Sequence, residues 1–350
     1  MMPVRVLAVD DSAVVRQALS QILTRAGMLV ATASDPIIAM DKMRRERPDV
    51  IVLDIEMPRM DGLTFLHRIM EQDPLPVVVC SGLASPDSEV ALHALEEGAV
   101  DIVVKPRLGV KGFLEDSAAR LVHVVRAASQ ARVRPRTHPP SVRKLAADVI
   151  VPAKPSSVIR HTTHKVIVIG ASTGGTEALK QILEAMPPDA PGIAIVQHMP
   201  EVFTKQFAKR LDQTCRIEVK EAEPDDRLVP GRALLAPGNR HLVVRRSGAL
   251  YFVDVVDGPP VSLHRPSVNV LFRSAAQAVA QNAVGVILTG MGDDGADGLA
   301  EMHAAGARTI AQDEATCVVF GMPKEAIGRG GVDEVLPLPR IAPQVLRWAR

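Results

Sequence analysis

The sequence predicts an α/β protein made of two open, doubly wound parallel sheets joined by a linker. Three observations carry that expectation. Short aliphatic runs alternate with amphipathic helical patterns through residues 4–125, and again from Lys165 onward. Between them, residues 132–165 are rich in Pro, Ser, Thr and Arg and hold eight Lys/Arg against one Asp. A chain of 350 residues is also the length of two ordinary domains rather than one. The expected division is a first domain over 1–125, a basic Pro-rich linker over 126–164 and a second domain over 165–350.

In the first domain the expected strands are 4–10, 29–34, 49–54, 76–82 and 101–106. The helix between the first two has Val15, Leu19, Ile22, Leu23 and Ala26 on one face, with Ser12 as N-cap and Gly27 as stop. Five strands of this kind form an open parallel sheet whose binding crevice lies beyond their carboxyl ends. The prolines make the linker semi-extended. Its positive charge is read as a solvated face, with docking to an acidic partner as the alternative.

In the second domain the expected strands are 165–171, 192–198, 216–222, 232–238, 284–290 and 308–313. Leu179, Ile182, Leu183 and Met186 line one face of the helix after the first of them. HLVVRRSGALYFVDV reads as a β-hairpin turning at Ser247-Gly248.

Composition narrows the function classes. Nearly half the residues are apolar (47%), but there are only one Trp, one Tyr and seven Phe, so the cores must be aliphatic. A net charge of +1 argues for no polyanionic partner, and hence for no nucleic acid. Cys80, Cys215 and Cys317 are odd in number and far apart, as expected of free thiols in a reducing cytosol. The chain runs from MMPVRVLAVDD straight into a strand, with no signal-like segment and no apolar run near the roughly 20 residues of a membrane helix. The expectation is a cytoplasmic protein without membrane insertion.

Three carboxylates stand out in the first domain. Asp10 and Asp11 end the first strand and Asp54 ends the third, which lies beside it in such a sheet. Three close anions repel unless a cation neutralises them, and a hard oxygen set of this kind suits Mg²⁺. Ser81 and Lys105, at two further strand ends, offer a hydroxyl and an ammonium to phosphoryl oxygens. The pattern DD…D…S…KP, with LDIEMPRMDG around Asp54, resembles the receiver domain of response regulators. That resemblance implies a flavodoxin-like fold and phosphorylation of Asp54 by a histidine kinase. It also implies that Asp10, Asp11 and Asp54 hold Mg²⁺, with Ser81 as switch hydroxyl and Lys105 on the phosphate.

In the second domain, VIVIGASTGG (166–175) ends a strand in a glycine-rich turn. A dinucleotide loop would need Gly where Ser172 stands and an acidic residue ending the next strand, where Gln197-His198 stand instead. A serine in such a turn is exposed, close to free amides that can hold an oxyanion. It needs a base, for which His198 is the candidate, and the base needs an orienting carboxylate. TGMGDDGADG supplies Asp293, Asp294 and Asp297, and spacing does not choose among them. A hydrolytic metal on His198 and these aspartates is a rival reading, weakened by the lack of a second well-spaced His, since His241 and His264 are scattered in loop-like segments. An output domain that only binds a partner is another. A DNA-binding output would be a small basic helical module, unlike this strand-rich half.

GASTGG, QHMP, GRALLAPGNRHL, HRPSVNVLF, TGMGDDGADGL and CVVFGMPKEAI together resemble the catalytic domain of the chemotaxis protein-glutamate methylesterase family, CheB. The resemblance implies Ser172 as nucleophile, His198 as general base, Asp294 as orienting acid and the Met291 backbone amide as an oxyanion donor. Where the family often has Asn before the triad Asp, this chain has Asp293. The resemblance further implies hydrolysis of glutamyl methyl esters, and deamidation of glutamines, on the cytoplasmic helices of methyl-accepting chemoreceptors. No cofactor is needed for that hydrolysis. The receiver would mask the catalytic face until it is phosphorylated.

Overall fold

Runs of Val, Ile and Leu buried on both faces become central strands because helices cover each side of a parallel sheet. The computed structural model describes residues 3–57, 60–82, 85–105, 111–133 and 165–349. Its first sheet comprises β1 (Arg5–Val9), β2 (Leu29–Ala33), β3 (Val50–Asp54), β4 (Val77–Ser81) and β5 (Asp101–Val104). The order is β2-β1-β3-β4-β5, and every pairing is parallel. The helices are α1 (Ala13–Arg25), α2 (Pro36–Arg45), α3 (Gly62–Gln72), α4 (Ser85–Glu96) and α5 (Lys111–Ser129). Ser12 caps α1 through the Val15 amide at 3.4 Å, and Gly27 leaves it with φ +82°. The strand order reverses between β1 and β3, which puts Asp10 beside Asp54 at the switch point.

Helix α5 continues to Ser129, past the expected domain boundary at 125. Its apolar face explains this: Leu121, Val124, Val125 and Ala128 are all buried against the sheet. Linker residues 134–164 lie outside the described residues.

The second sheet holds seven parallel strands. They are β6 (Val166–Ala171), β7 (Gly192–Gln197), β8 (Glu218–Glu221), β9 (Arg232–Leu235), β12 (Ala283–Ile287), β13 (Arg308–Gln312) and β14 (Glu334–Leu336). Their order is β14-β13-β12-β6-β7-β9-β8. β10 (His241–Ser247) and β11 (Leu250–Val256) form the expected hairpin as a separate sheet. Its loop is Gly248-Ala249, one residue later than expected, because Ser247 pairs with Leu250 and Gly248 takes the positive φ (+60°). Six helices complete the domain: α6 (Gly175–Glu184), α7 (Glu201–Thr214), α8 (Val268–Ala278), α9 (Ala296–Ala304), α10 (Met322–Gly328) and α11 (Leu338–Trp348). Leu179, Ile182, Leu183 and Met186 are buried, as their spacing predicts.

The two domains touch through α4, α5, the start of β5 and the residues just after α5 of the first. Helix α4 lies against α6 and α7. The Thr173 hydroxyl donates to Asp101 Oδ2 at 2.9 Å, and the Gly174 amide to Val100 O at 3.3 Å. Arg120 donates to the His198 carbonyl at 3.2 Å, and Arg132 pairs with Glu314 at 2.8 Å. Among the described residues no helix is long and apolar enough to cross a membrane.

Candidate active site

The acidic pocket of the first domain is assembled by two strand ends. Carboxylate oxygens of Asp10, Asp11 and Asp54 all lie within 4.8 Å of one another. Lys105 Nζ sits 2.7 Å from Asp54 Oδ2 and 3.3 Å from Asp10 Oδ2. Burial pushes the Asp54 carboxyl up, Asp10 adds to this, and Lys105 and the Glu56 amide oppose it. Burial likewise raises Asp10 against Lys105 and the Ser12 amide. One ammonium therefore pairs with two of three clustered carboxylates, a donor set that fits a hard divalent cation. A small pocket of about 50 Å³ opens here, lined by Asp54, Glu56, Ser81 and Lys105 among others.

In the second domain the three middle strands deliver the candidate residues. Ala171 of β6 pairs with Gln197 of β7, so Ser172 and His198 leave neighbouring strands at the same level. β12 pairs with β6 on its other side, and the loop after it carries Asp294. Ser172, His198 and Asp294 are 4%, 3% and 1% exposed, so Ser172, expected to be exposed in its turn, is instead buried. His198 Nε2 donates to Asp294 Oδ2 at 2.8 Å. The Val268 amide also donates to Oδ2 (2.7 Å), while Ser267 Oγ (2.7 Å) and the Asn269 amide (3.0 Å) donate to Oδ1. Burial pushes this carboxyl up. The His198 hydrogen bond and charge, with the Asn269 and Ser267 bonds, outweigh that and hold Asp294 below the ordinary carboxylate value. Asp293 and Asp297 point elsewhere, both to Arg329, at 2.8 and 2.9 Å. The aspartate left open by spacing is thus settled in position: Asp294 is the one on His198.

The serine turn is tightly held. The Ser172 amide donates to Thr289 O at 3.0 Å, and Gln197 Nε2 donates to Ser172 O at 2.9 Å. Thr289 Oγ1 donates to Thr173 O at 2.9 Å and accepts from the Val319 amide at 2.9 Å. Gly290 passes so close that a Cβ there would stand 2.7 Å from Ser172 Cβ. Among the described residues, no acceptor is found for the amide of Met291, the next residue, and His198 Nδ1 is buried without a partner. No hydrogen bond joins Ser172 Oγ to His198 among the described residues.

Two features of the site escaped the sequence reading. His264, taken as scattered, stacks on His198 with ring centroids 3.7 Å apart and planes 10° apart. HRPSVNVLF carried a usable signal for its surroundings, since Ser267 caps α8 and bonds Asp294. Asp101, Arg120 and His123, which reach this site from the first domain, gave no signal, being ordinary residues of a strand end and a helix. His123 meets the edge of His264 at 5.1 Å. The rival metal site on His198, Asp293, Asp294 and Asp297 is not assembled, because Arg329 holds two of its four members.

Fold and site together define a class: a receiver-type α/β domain docked over the strand ends of an α/β domain of hydrolase type. Within that class the chain belongs to the CheB methylesterase family. The family model described as CheB methylesterase matches residues 167–345, and that described as response regulator receiver domain matches 6–110. Protein-glutamate methylesterase/protein-glutamine glutaminase 1 of Anaeromyxobacter dehalogenans is 70% identical, covering 99% of both chains. The protein numbered 3 under the same name in Geobacter metallireducens is 60% identical over 99% of both. The crystal structure of the Thermotoga maritima CheB methylesterase catalytic domain matches 52% of this chain and 97% of its own. The identity is 40% and the TM-score 0.51.

Proposed function

We propose that this chain is a phosphorylation-activated serine esterase that hydrolyses glutamyl methyl esters, and deamidates glutamines, on the cytoplasmic helices of methyl-accepting chemoreceptors. The observation that carries the reading is the Asp294 carboxylate. It is buried, given four hydrogen bonds and aimed at His198 Nε2, next to the strand end bearing Ser172. An ionised Asp294 accepts a hydrogen bond from Nε2–H, fixing the proton on that nitrogen, and so leaves Nδ1 as the base.

Ser172 Oγ attacks the ester carbonyl as His198 Nδ1 takes its proton. Negative charge builds on the former carbonyl oxygen, and backbone amides, that of Met291 among them, stabilise it. The imidazolium returns the proton to the departing methoxide, and methanol leaves. Water then attacks the acyl-enzyme as His198 takes its proton; the acyl C–Oγ bond breaks and the imidazolium returns that proton to Ser172 Oγ, giving glutamate and free Ser172. With a glutamine substrate the same steps release ammonia. No cofactor takes part in this hydrolysis.

In the receiver, Asp54 is the phosphoacceptor and a chemotaxis-type histidine kinase the donor. Asp10, Asp11 and Asp54 would hold Mg²⁺, which offsets their charge and that of the incoming phosphoryl oxygens. Lys105 and Ser81 contact those oxygens. In the docked form Arg120, Asp101 and Val100 bond the Ser172–Gly174 turn and the His198 carbonyl. Phosphorylation shifts the balance toward an undocked form. The setting is the cytoplasm, where both the donor and the receptor helices lie.

The test is methanol release from methylated receptor membranes, with and without a small phosphodonor and Mg²⁺. Release should rise with the donor, and Asp54→Asn should keep the basal rate while losing the rise. Equal release with and without donor would contradict the activation half of the reading, and no release its esterase half.

A further inference from the structure

His264 sits on a loop that the fold holds in one shape. Val261 and His264 exchange both backbone hydrogen bonds at 2.9 Å. Arg265 donates to Gly258 O and to Asn239 Oδ1, each at 2.6 Å, and Asn269 Nδ2 donates to Ser262 Oγ at 3.1 Å. Ser262 and Leu263 both take left-handed backbone conformations, φ 51° and 67°. Residues with side chains hold such conformations only where the surroundings dictate them, and they concentrate at functional sites. Here the result is that Leu263 points to solvent, 88% exposed, while the His264 ring lies flat on His198.

His198 needs such a support. Among the described residues its ring has one side-chain hydrogen bond, at Nε2, and its Nδ1 is buried without a partner. A single bond leaves an imidazole free to rock about the Nε2···Oδ2 line, and a parallel ring at 3.7 Å removes that freedom. Resting on the esterase reading above, we propose that His264 is a positioning residue. Its ring fixes the plane of the His198 imidazole so that Nδ1 faces the Ser172 hydroxyl, and it offers a π face to the imidazolium formed on proton transfer. Burial first, then the neighbouring His198, His123 and Arg120, push the His264 pKa down, so the supporting ring stays uncharged. A second positive charge stacked on the imidazolium would oppose the step.

The full chain at saturating small phosphodonor and Mg²⁺ provides the test, with methanol release from methylated receptor membranes as the readout. His264→Ala should lower kcat roughly 10–100-fold, the scale of a misaligned catalytic group, with KM within about twofold of wild type. Its thermal midpoint should stay close to that of wild type. His264→Phe keeps a flat ring that cannot titrate and should return kcat to within a few-fold of wild type. His123→Ala, which removes the receiver's ring contact with His264, should leave the donor-activated kcat unchanged. Wild-type kcat in His264→Ala, a change confined to KM, or a His264→Phe as impaired as His264→Ala would each overturn the proposal. A wild-type chain that releases no methanol would contradict the esterase reading itself, and this one with it.

Discussion

Asp293 and Asp294 are adjacent, chemically identical and placed in opposite roles. Asp294 is buried with both oxygens saturated, whereas Asp293 is exposed and shares Arg329 with Asp297. Asp294→Asn removes the acceptor that fixes the His198 tautomer and should lower kcat by about 10⁴-fold. Asp293→Asn removes an exposed ion pair worth about 1 kcal/mol or less and should leave kcat within a few-fold of wild type. Steady-state methanol release on the two variants checks both, and comparable losses would show that the wrong aspartate has been placed on His198. At this scale the sequence was partly legible. Ser172 and His198 stood at strand ends, and the Asp10, Asp11 and Asp54 cluster was visible from strand order. Spacing left open the choice among three aspartates within five residues, because a loop can turn any of them inward; the family resemblance pointed to Asp294, the one that the α8 donors hold.

Elements position these residues by very close approach. Gly170 in β6 has no room for a side chain: a Cβ there would stand 3.0 Å from Cγ2 and 3.1 Å from Cβ of Val268. Val268 opens α8, and its amide donates to Asp294 Oδ2 at 2.7 Å. Gly170→Ala should therefore destabilise the domain by about 1–3 kcal/mol, as overpacked cores do. It should also reduce turnover by pushing Val268 off Asp294. A urea midpoint unchanged from wild type would contradict this packing account. Most strands were legible because buried parallel strands read as unbroken aliphatic runs. β14 was not, since Glu334–Leu336 is a three-residue edge strand without such a run. The hairpin was legible, but its turn was displaced by one residue because cross-strand pairing, not the Ser-Gly dipeptide, sets the register.

The whole molecule is a docked pair, and its interface is polar where it covers the site. Asp101, Arg120 and His123 on one side meet Thr173, His198 and His264 on the other. Moving a docked-to-open ratio from 99:1 to 1:99 takes about 5.5 kcal/mol of differential binding, the scale that phosphorylation of Asp54 would have to supply. Protons act on the same balance. Burial, with His198 and Arg120, pushes His123 down to about 4 in the docked form, and His264, which also faces it, is depressed in the same way. An undocked histidine titrates near 6.5, roughly. Docking is then at full strength above that value and weakens as pH falls toward 4, by at most about tenfold per pH unit, through His123 alone, because His264 keeps its burial against His198 in both forms. Small-angle scattering between pH 8 and pH 5 should report expansion on acidification, with His123→Gln flattening the response. A radius of gyration independent of pH would contradict it. The family resemblance implied that the receiver covers the catalytic face, but none of the contacting residues was legible, because a docking contact joins residues that look ordinary within their own helices and strands.

Covalent labelling reads out whether Ser172 is an activated nucleophile under the receiver's control. The full chain is treated with a serine-reactive phosphonate, with and without phosphodonor and Mg²⁺, and the modified peptide is mapped by mass spectrometry. The account predicts label on Ser172, faster with the donor and absent from Ser172→Ala. Label absent from Ser172, or fixed there at a rate indifferent to the donor, would contradict it.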